Sequence, residues 1–183
     1  PTGRVTSFEA NPRLASLASS SLTLNGLSGH AAVLNKAVSD APQTVRFSTS
    51  RREAGGGHLF VEGTFFRGDM EVFEIEAVRL DDLDLPSPRL IRIDAEGSEA
   101  LILGGAARLL ARSDIILVIE WDVIQLGYRS DVSAFAAWLD DLGFRFWRIR
   151  HDGGRDPVAT AELTGIPACD LIVSRQDPFA IEA

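Results

Sequence analysis

Residues 89–106, RLIRIDAEGSEALILGGA, decide the fold of this chain. Residues 89–95 have the apolar pattern of a short buried strand, and residues 98–113 predict a helix directly after it. Asp94 and Glu96 lie between the two elements with Gly97, and Glu99 follows in the first helical turn. Because ligands of open α/β sheets bind beyond the carboxyl ends of the strands, this stretch predicts one rim of an active site.

The three acids of this stretch repel one another, so we expect them to face solvent, a metal ion or a positively charged ligand. Glu99 has a second interpretation, because acids in a first helical turn also complement the helix dipole. Asp94 and Glu96 precede the helix, so that interpretation suits them less well. Gly104 and Gly105 each cost about 1 kcal/mol relative to alanine inside a helix, which favours close packing or an early break there.

Composition restricts the class of protein. The 183 residues suit one domain, residues 1–183, and 45% hydrophobic with 24% charged residues is ordinary for a soluble protein. A net charge of −8 argues against a nucleic-acid surface, and the single cysteine excludes a disulfide framework. We find no signal peptide and no membrane-spanning run, so a cytoplasmic protein is expected. Because the first residue is proline, we expect a fragment or a processed product.

The first forty residues predict a strand, a helix and a second strand. Residues 4–10 form the first strand, which ends at Glu9. Asn11 and Pro12 predict the start of the helix, and Asn25 with Gly26 predicts its end. Residues 31–39 form the second strand, so we expect a parallel crossover.

The rest of the chain departs once from this α/β pattern. Residues 43–78 are short β-rich runs and predict an antiparallel insertion. Residues 114–121 predict a parallel strand covered on both faces, which ends at Glu120. A helix from Ser130 or Asp131 to Gly143, a strand at 144–149, a turn and loop at 151–168, and a last strand at 169–174 complete the order.

An ordered series of motifs now appears: FEANP at 8–12, NKAVSD at 35–40, IDAEGSE with LGGA at 93–106, and VIEW at 118–121. The series resembles the FkbM family of S-adenosylmethionine-dependent methyltransferases over about residues 3–175. Its specific part is IDAEGSE, since the family shows a D-x-E-G-x-E pattern. The resemblance implies an α/β fold with a Rossmann-like class I methyltransferase sheet, mostly parallel with an antiparallel last strand and the β-rich insertion.

The same resemblance implies S-adenosylmethionine as cofactor and methyl transfer to a hydroxyl of a sugar or natural product. It implies that Glu9 binds the cofactor ribose, that Asn35 and Ala37 lie at the adenine, and that Asp94 lies nearest the reactive methyl group. A carboxylate at a strand end can accept hydrogen bonds from ribose hydroxyls. Packing alone would equally explain Ala37, and an exposed strand end would explain Glu9.

A positioned carboxylate near the acceptor hydroxyl can act as general base. Asp94 is the first candidate and Glu96 the second, with Glu99 and Glu120 forming the substrate rim. An ion pair with Arg92 is an alternative role for Glu120. Trp121 and Trp147 are expected in the core or at the rim of the site, since tryptophans in such strands more often pack there than form a platform for the substrate. The insertion and the loop at 151–168 are expected to border the acceptor pocket. An oligomer is compatible with the sequence.

Two other classes of function remain. In the first, Asp94, Glu96 and Glu120 hold a divalent cation through oxygen ligands. In the second, the chain is a non-catalytic binding module with the methyltransferase fold. The resemblance implies a first strand and a glycine-rich loop that residues 1–183 do not contain. We therefore expect no well-formed cofactor pocket in these residues alone, and either direct pairing of strands 4–10 and 89–95 or a partner strand between them.

Overall fold

The structure, a computed structural model, describes residues 3–50, 52, 57–60 and 69–179. These ranges contain eleven strands and five α-helices. The strands are β1 (Val5–Phe8), β2 (Ala31–Leu34), β3 (Ala37–Val38), β4 (Gln43–Ser50), β5 (His58–Leu59), β6 (Met70–Val78), β7 (Leu90–Ile93), β8 (Ile116–Trp121), β9 (Arg145–Ile149), β10 (Arg155–Val158) and β11 (Cys169–Ser174). The helices are α1 (Pro12–Leu24), α2 (Glu99–Gly104), α3 (Ala107–Leu110), α4 (Val123–Gly127) and α5 (Val132–Asp141). None of the described helices has the length and hydropathy that a membrane span requires.

The strands form three sheets in the described part of the chain. β1 and β2 are a parallel pair, and β3, β6, β4 and β5 form a four-stranded sheet in that order. The order β10-β9-β11-β8-β7 makes up the five-stranded sheet. In this sheet β7 and β8 are parallel, whereas β11 is antiparallel to both of its neighbours. The antiparallel last strand is thus confirmed.

Local sequence signals place the first unit correctly. The Asn11 side chain accepts hydrogen bonds from the backbone N–H groups of Arg13 and Leu14, and Pro12 occupies the first helical position. The helix ends at Asn25, and Gly26 follows with a φ of 69°. β1 and β2 pair in parallel on either side of α1 in the chain, which confirms the predicted crossover.

The expectation of a mostly parallel sheet is wrong, because the fold is a mixed α/β arrangement. Parallel pairs are divided among the three sheets, and antiparallel ladders dominate the two larger ones. The physical reason is that no described strand joins β1 to β7. Of the two outcomes expected for these strands, direct pairing does not occur, and a partner strand between them stays a prediction.

The side chains along β1 and β7 show the consequence. Val5 on β1 is 63% exposed and Leu90 on β7 is 55% exposed. Ile91 is half-buried, and Ile93 is buried in the core. Ile93, at the C-terminal end of β7, therefore remains packed in the core. Among the described strands, only β8 is hydrogen-bonded to β7.

The β-rich insertion is confirmed in its described part. β4 and β6 pair antiparallel from Gln43↔Ala77 to Ser50↔Met70, and β5 pairs with β4. β6 also pairs in parallel with β3, so the insertion extends a sheet begun by the second half of the predicted strand 31–39. Residues 51, 53–56 and 61–68 of the insertion lie outside the described ranges.

The main core lies between the five-stranded sheet and the helices that follow β7 and β8. Its fully buried members include Leu103, Leu117, Ile119, Trp121 and Leu171. The predicted helix 98–113 is two helices, because the chain breaks at Gly105. A Cβ at Gly105 would lie 2.4 Å from the backbone oxygen of Ser39, so close packing and an early break occur together.

Two elements were not expected from the sequence. α4 follows β8 directly, with Asp122 as its N-cap. β10 forms an antiparallel hairpin with β9 inside the region predicted as a loop. It contains Pro157 and two charged residues, Arg155 and Asp156, so its sequence carries a weak strand signal.

Candidate active site

The site is built around the acidic turn, residues 94–99, between β7 and α2. Glu96 has a φ of 50° and Gly97 has a φ of 91°, so two successive residues are left-handed. Only glycine adopts this region without strain. A Cβ at Gly97 would lie 2.3 Å from the backbone oxygen of Gln125, so the turn packs directly against α4.

Strand register brings Asp94 beside Glu120. Ile93 pairs with Ile119 in the parallel β7–β8 ladder, so the next residue of each strand reaches the same sheet edge. Asp94, Glu96 and Glu120 each place one carboxylate oxygen within 4.8 Å of the others. Because carboxylates this close repel one another, their proximity favours the protonated form of Glu120.

Glu120 titrates near neutral pH. Burial raises the pKa of Glu120 to about 7. The neighbouring carboxyl group of Asp94 and the charges of Glu96 and Glu99 raise this pKa further. A carboxyl group with such a pKa can exchange protons at the pH of the cell, as general acids and bases do.

Arg92 does not neutralise Glu120. Its guanidinium lies 2.9 Å from an oxygen of Asp94 and 3.8 Å from an oxygen of Asp170. The alternative of an Arg92–Glu120 ion pair is therefore wrong. Since Arg92 is 55% exposed at its side chain, its pairs are screened and the acid cluster keeps an excess of negative charge.

Glu99 was expected at the substrate rim, but the structure places it in the interior. Its residue is only 1% exposed, and its Oε1 accepts a hydrogen bond of 2.9 Å from the N–H of Ala95. The side chain folds back under the acidic turn and supports it, so it does not line an exposed rim. Burial raises the pKa of Glu99, and hydrogen bonds from the turn oppose this.

Glu9 and Asn35 lie together at the ends of the other parallel pair. Phe8 pairs with Leu34, so Glu9 and Asn35 are the next residues at one edge. The Asn35 amide donates to the backbone oxygens of Glu9 at 2.9 Å and of Ala10 at 3.2 Å. One Glu9 oxygen accepts the N–H of Asn11 at 2.7 Å, which leaves the second oxygen without a described donor.

The structure places the remaining candidates, Ala37, Trp121 and Trp147, on strands. Ala37 is 5% exposed in β3, beside Ala77 of β6. Trp121 is fully buried, donates its ring N–H to the Leu163 oxygen at 2.8 Å and stacks on Phe135, which confirms a core role. Trp147 is half-buried in β9.

The structure thus gives two groups of polar residues at strand ends. Phe8, next to Glu9, packs against the core cluster that contains Ile93, next to Asp94. No described hydrogen bond or ion pair joins the two groups directly. Strand ends in the sequence indicated the acids and Glu9, and the family resemblance indicated Asn35. Sequence reasoning missed Arg129 and Gln125, which contact the acidic turn from α4 and its C-terminal end. Their segment has no motif, and their contacts depend on long-range packing.

A pH dependence of stability follows from Glu120. Its pKa is about 7 in the folded chain against 4.5 for the free group, so the folded state binds more protons between these values. The free energy of unfolding is therefore expected to fall as the pH rises through this window. Glu120→Gln should remove this contribution and stabilise the protein above the window by on the order of 1 kcal/mol, after solvent screening.

Urea unfolding at several pH values measures this effect. Glu74→Gln, at an exposed acid of β6, is the matched control and should leave the pH slope unchanged. A Glu120→Gln variant with the slope of the wild-type protein would contradict the assigned protonation.

Comparison with known proteins defines the class to which this fold and site belong. Residues 1–146 match the family model of the methyltransferase FkbM domain. The chain therefore belongs to the FkbM methyltransferase domain family, and the resemblance seen in its motifs is confirmed. No curated protein matches the chain.

A solved structure supports the fold. The crystal structure of the methyltransferase FkbM from Methylobacillus flagellatus KT is similar to this chain, with a TM-score of 0.52 and 16% sequence identity. The match covers 93% of this chain and 36% of that chain, so this chain spans about a third of its structural relative.

Proposed function

We propose that this chain forms a single domain of an S-adenosylmethionine-dependent O-methyltransferase that acts on a hydroxyl of a sugar or natural product. Membership of the FkbM methyltransferase domain family supports methyl transfer. The observation that carries the assignment of the active site is the Asp94–Glu120 pair at the sheet edge, with its carboxyl group that titrates near neutral pH.

The residues at the end of β1 and β2 suit the proposed cofactor. The second oxygen of Glu9 is available for a ribose hydroxyl, and the first is held by the N–H of Asn11. The side-chain amide of Asn35 donates to the backbone oxygens of Glu9 and Ala10, and its side-chain oxygen remains as an acceptor for an adenine amino group. Ala37 is buried in β3 beside Ala77 of β6, so we assign it to packing.

Bound S-adenosylmethionine would supply an electrophilic methyl group. The residues of this chain would orient the acceptor hydroxyl and take its proton. The carboxylate of Asp94 would take this proton, with the carboxyl group of Glu120 beside it as the group that exchanges protons near neutral pH. Asp94 lies nearest the reacting atoms in this proposal, and Glu96 is the second candidate base. Arg92 holds the Asp94 side chain in place at 2.9 Å.

A test of the cofactor site is Glu9→Gln. This variant keeps an oxygen for the Asn11 N–H but loses the charge, so folding should change little. We expect binding of S-adenosylmethionine by the full-length gene product to weaken by about 1.5–3 kcal/mol, the scale of a charged hydrogen bond. Calorimetric titration measures the change, with Glu74→Gln as control. An affinity equal to that of the wild-type protein would remove Glu9 from the site.

A metal-assisted enzyme is the second candidate function. The oxygens of Asp94, Glu96 and Glu120 lie close enough together to ligate one cation, and carboxylate oxygens suit Mg²⁺ or Ca²⁺. Loss of activity in a chelator and its return with a divalent cation would favour this candidate. Full activity in the chelator would leave the carboxylate base as the mechanism.

A further inference from the structure

Arg129 connects two sheets through their backbones. It lies just after α4, and its half-buried guanidinium donates one hydrogen bond of 3.0 Å to the backbone oxygen of Glu96. A second hydrogen bond goes to the backbone oxygen of Leu59 in β5. Glu96 belongs to the acidic turn and Leu59 to the four-stranded sheet, so one side chain bridges the proposed catalytic acids and the insertion.

The acidic turn needs support of this kind. Glu96 has a φ of 50°, and a left-handed conformation is unfavourable for residues other than glycine. The guanidinium packs closely here, because a Cβ at Gly97 would lie 3.0 Å from Nη1 of Arg129. The bond to the Glu96 oxygen therefore holds the peptide whose orientation aims the Glu96 side chain.

Charge gives Arg129 a second effect on the turn. Burial lowers the pKa of Arg129, and the charge of Glu99 opposes this shift. Arginine remains a cation in proteins. Its charge therefore offsets part of the repulsion among the carboxyl groups of the acidic turn and of Glu120. A lysine could not replace it fully, because a single ammonium group lacks the planar fork that reaches two separate carbonyls.

The contact at Leu59 extends the bridge into the insertion. Leu59 pairs with Phe47 in the antiparallel β4–β5 ladder, and β4 is bonded along its whole length to β6. The guanidinium therefore links this sheet edge to the Glu96 peptide.

We propose that Arg129 is a positioning residue, which fixes the acidic turn and couples its carboxylates to the position of β5. It acts through backbone carbonyls and does not touch the reacting atoms. The kinetic part of this inference rests on the proposed methyltransferase function, and the structural part does not.

Hydrogen exchange tests the structural part in Arg129→Met and Arg129→Lys. The amide of Ser98 is bonded to the Ala95 oxygen and the amide of Phe60 to the Arg46 oxygen, so both report on a clamped segment. In Arg129→Met we expect both amides to exchange about 10-fold faster or more, beyond any change in global stability. Arg129→Lys should give a smaller increase.

Arg175→Met is the matched control. Arg175 also binds backbone carbonyls, those of Leu142, Arg112 and Leu110, but it lies at the other end of β8. Its loss should lower global stability without a specific change at Ser98 or Phe60. Equal effects of the two substitutions at these amides, or a change at only one amide in Arg129→Met, would overturn the proposal.

The kinetic part is read from kcat and KM. Arg129→Met should lower kcat about 10-fold or more with a nearly unchanged KM for S-adenosylmethionine, because misplaced carboxylates slow the reaction. Millimolar guanidinium should restore part of this rate in Arg129→Ala but not in Asp94→Asn. A kcat loss as large in Arg175→Met would refute the positioning role. Absence of methyl transfer in the wild-type protein would reject the proposed function, while hydrogen exchange would still decide the role of Arg129.

Discussion

Replacement of Asp94 by asparagine is expected to lower the rate of methyl transfer about 100-fold or more. Asparagine keeps the shape of the side chain but cannot accept a proton, and it removes the negative charge beside Glu120. Cofactor affinity should be largely kept, because Glu9 and Asn35 lie at a different pair of strands. Single-turnover rates with saturating S-adenosylmethionine separate the two effects. Equal losses in rate and cofactor affinity would make Asp94 a binding residue instead.

A double-mutant cycle tests whether Asp94 and Glu120 act as a unit. If these two neighbouring carboxyl groups act as a unit, Asp94→Asn combined with Glu120→Gln should lower the rate little further than the worse single variant, since effects within a unit are not additive. Rate losses that multiply in the double variant would show that the two carboxyl groups act independently.

Gly97→Ala is expected to have the largest effect on stability among the substitutions considered. The new Cβ would meet the backbone oxygen of Gln125 at 2.3 Å, and the φ of 91° is unfavourable for alanine. We expect a loss of about 2–4 kcal/mol in the free energy of unfolding, from backbone strain and from displacement of the turn against α4. Denaturant unfolding measures this loss.

Gly153→Ala separates the two causes. Gly153 has a φ of 80°, but a Cβ there would meet nothing within 4 Å. Its substitution should cost about 1 kcal/mol, the contribution of the backbone alone. If both variants lost the same stability, the close contact between the acidic turn and α4 would not exist.

Local signals predicted much of the secondary structure. The bounds of β11, Cys169–Ser174, agree with the prediction, and the cap at Asn11 places α1. The partition into three sheets could not be predicted, because strand pairing depends on partners distant in the chain. The apolar run of β8 illustrates this, since it predicted a parallel strand, which β7 confirms, but it did not indicate that β11 would lie antiparallel on the other side.

The candidate site was predicted to the extent that strand ends define it. The rule that ligands bind beyond the carboxyl ends of strands correctly grouped Asp94, Glu96 and Glu120. Burial of Glu99 was not predictable, because a first-turn acid can face either solvent or the preceding turn. The contact of Arg129 with Glu96 spans 33 residues and follows from packing alone.

The central claim is that this chain belongs to an enzyme that binds S-adenosylmethionine. Calorimetric titration of the full-length gene product with S-adenosylmethionine, in the presence of a chelator, tests it most directly. The account predicts one-to-one binding that S-adenosylhomocysteine competes away and that Glu9→Gln weakens. Titration without binding heat, together with an unchanged melting temperature at saturating S-adenosylmethionine, would contradict it and favour a non-catalytic module.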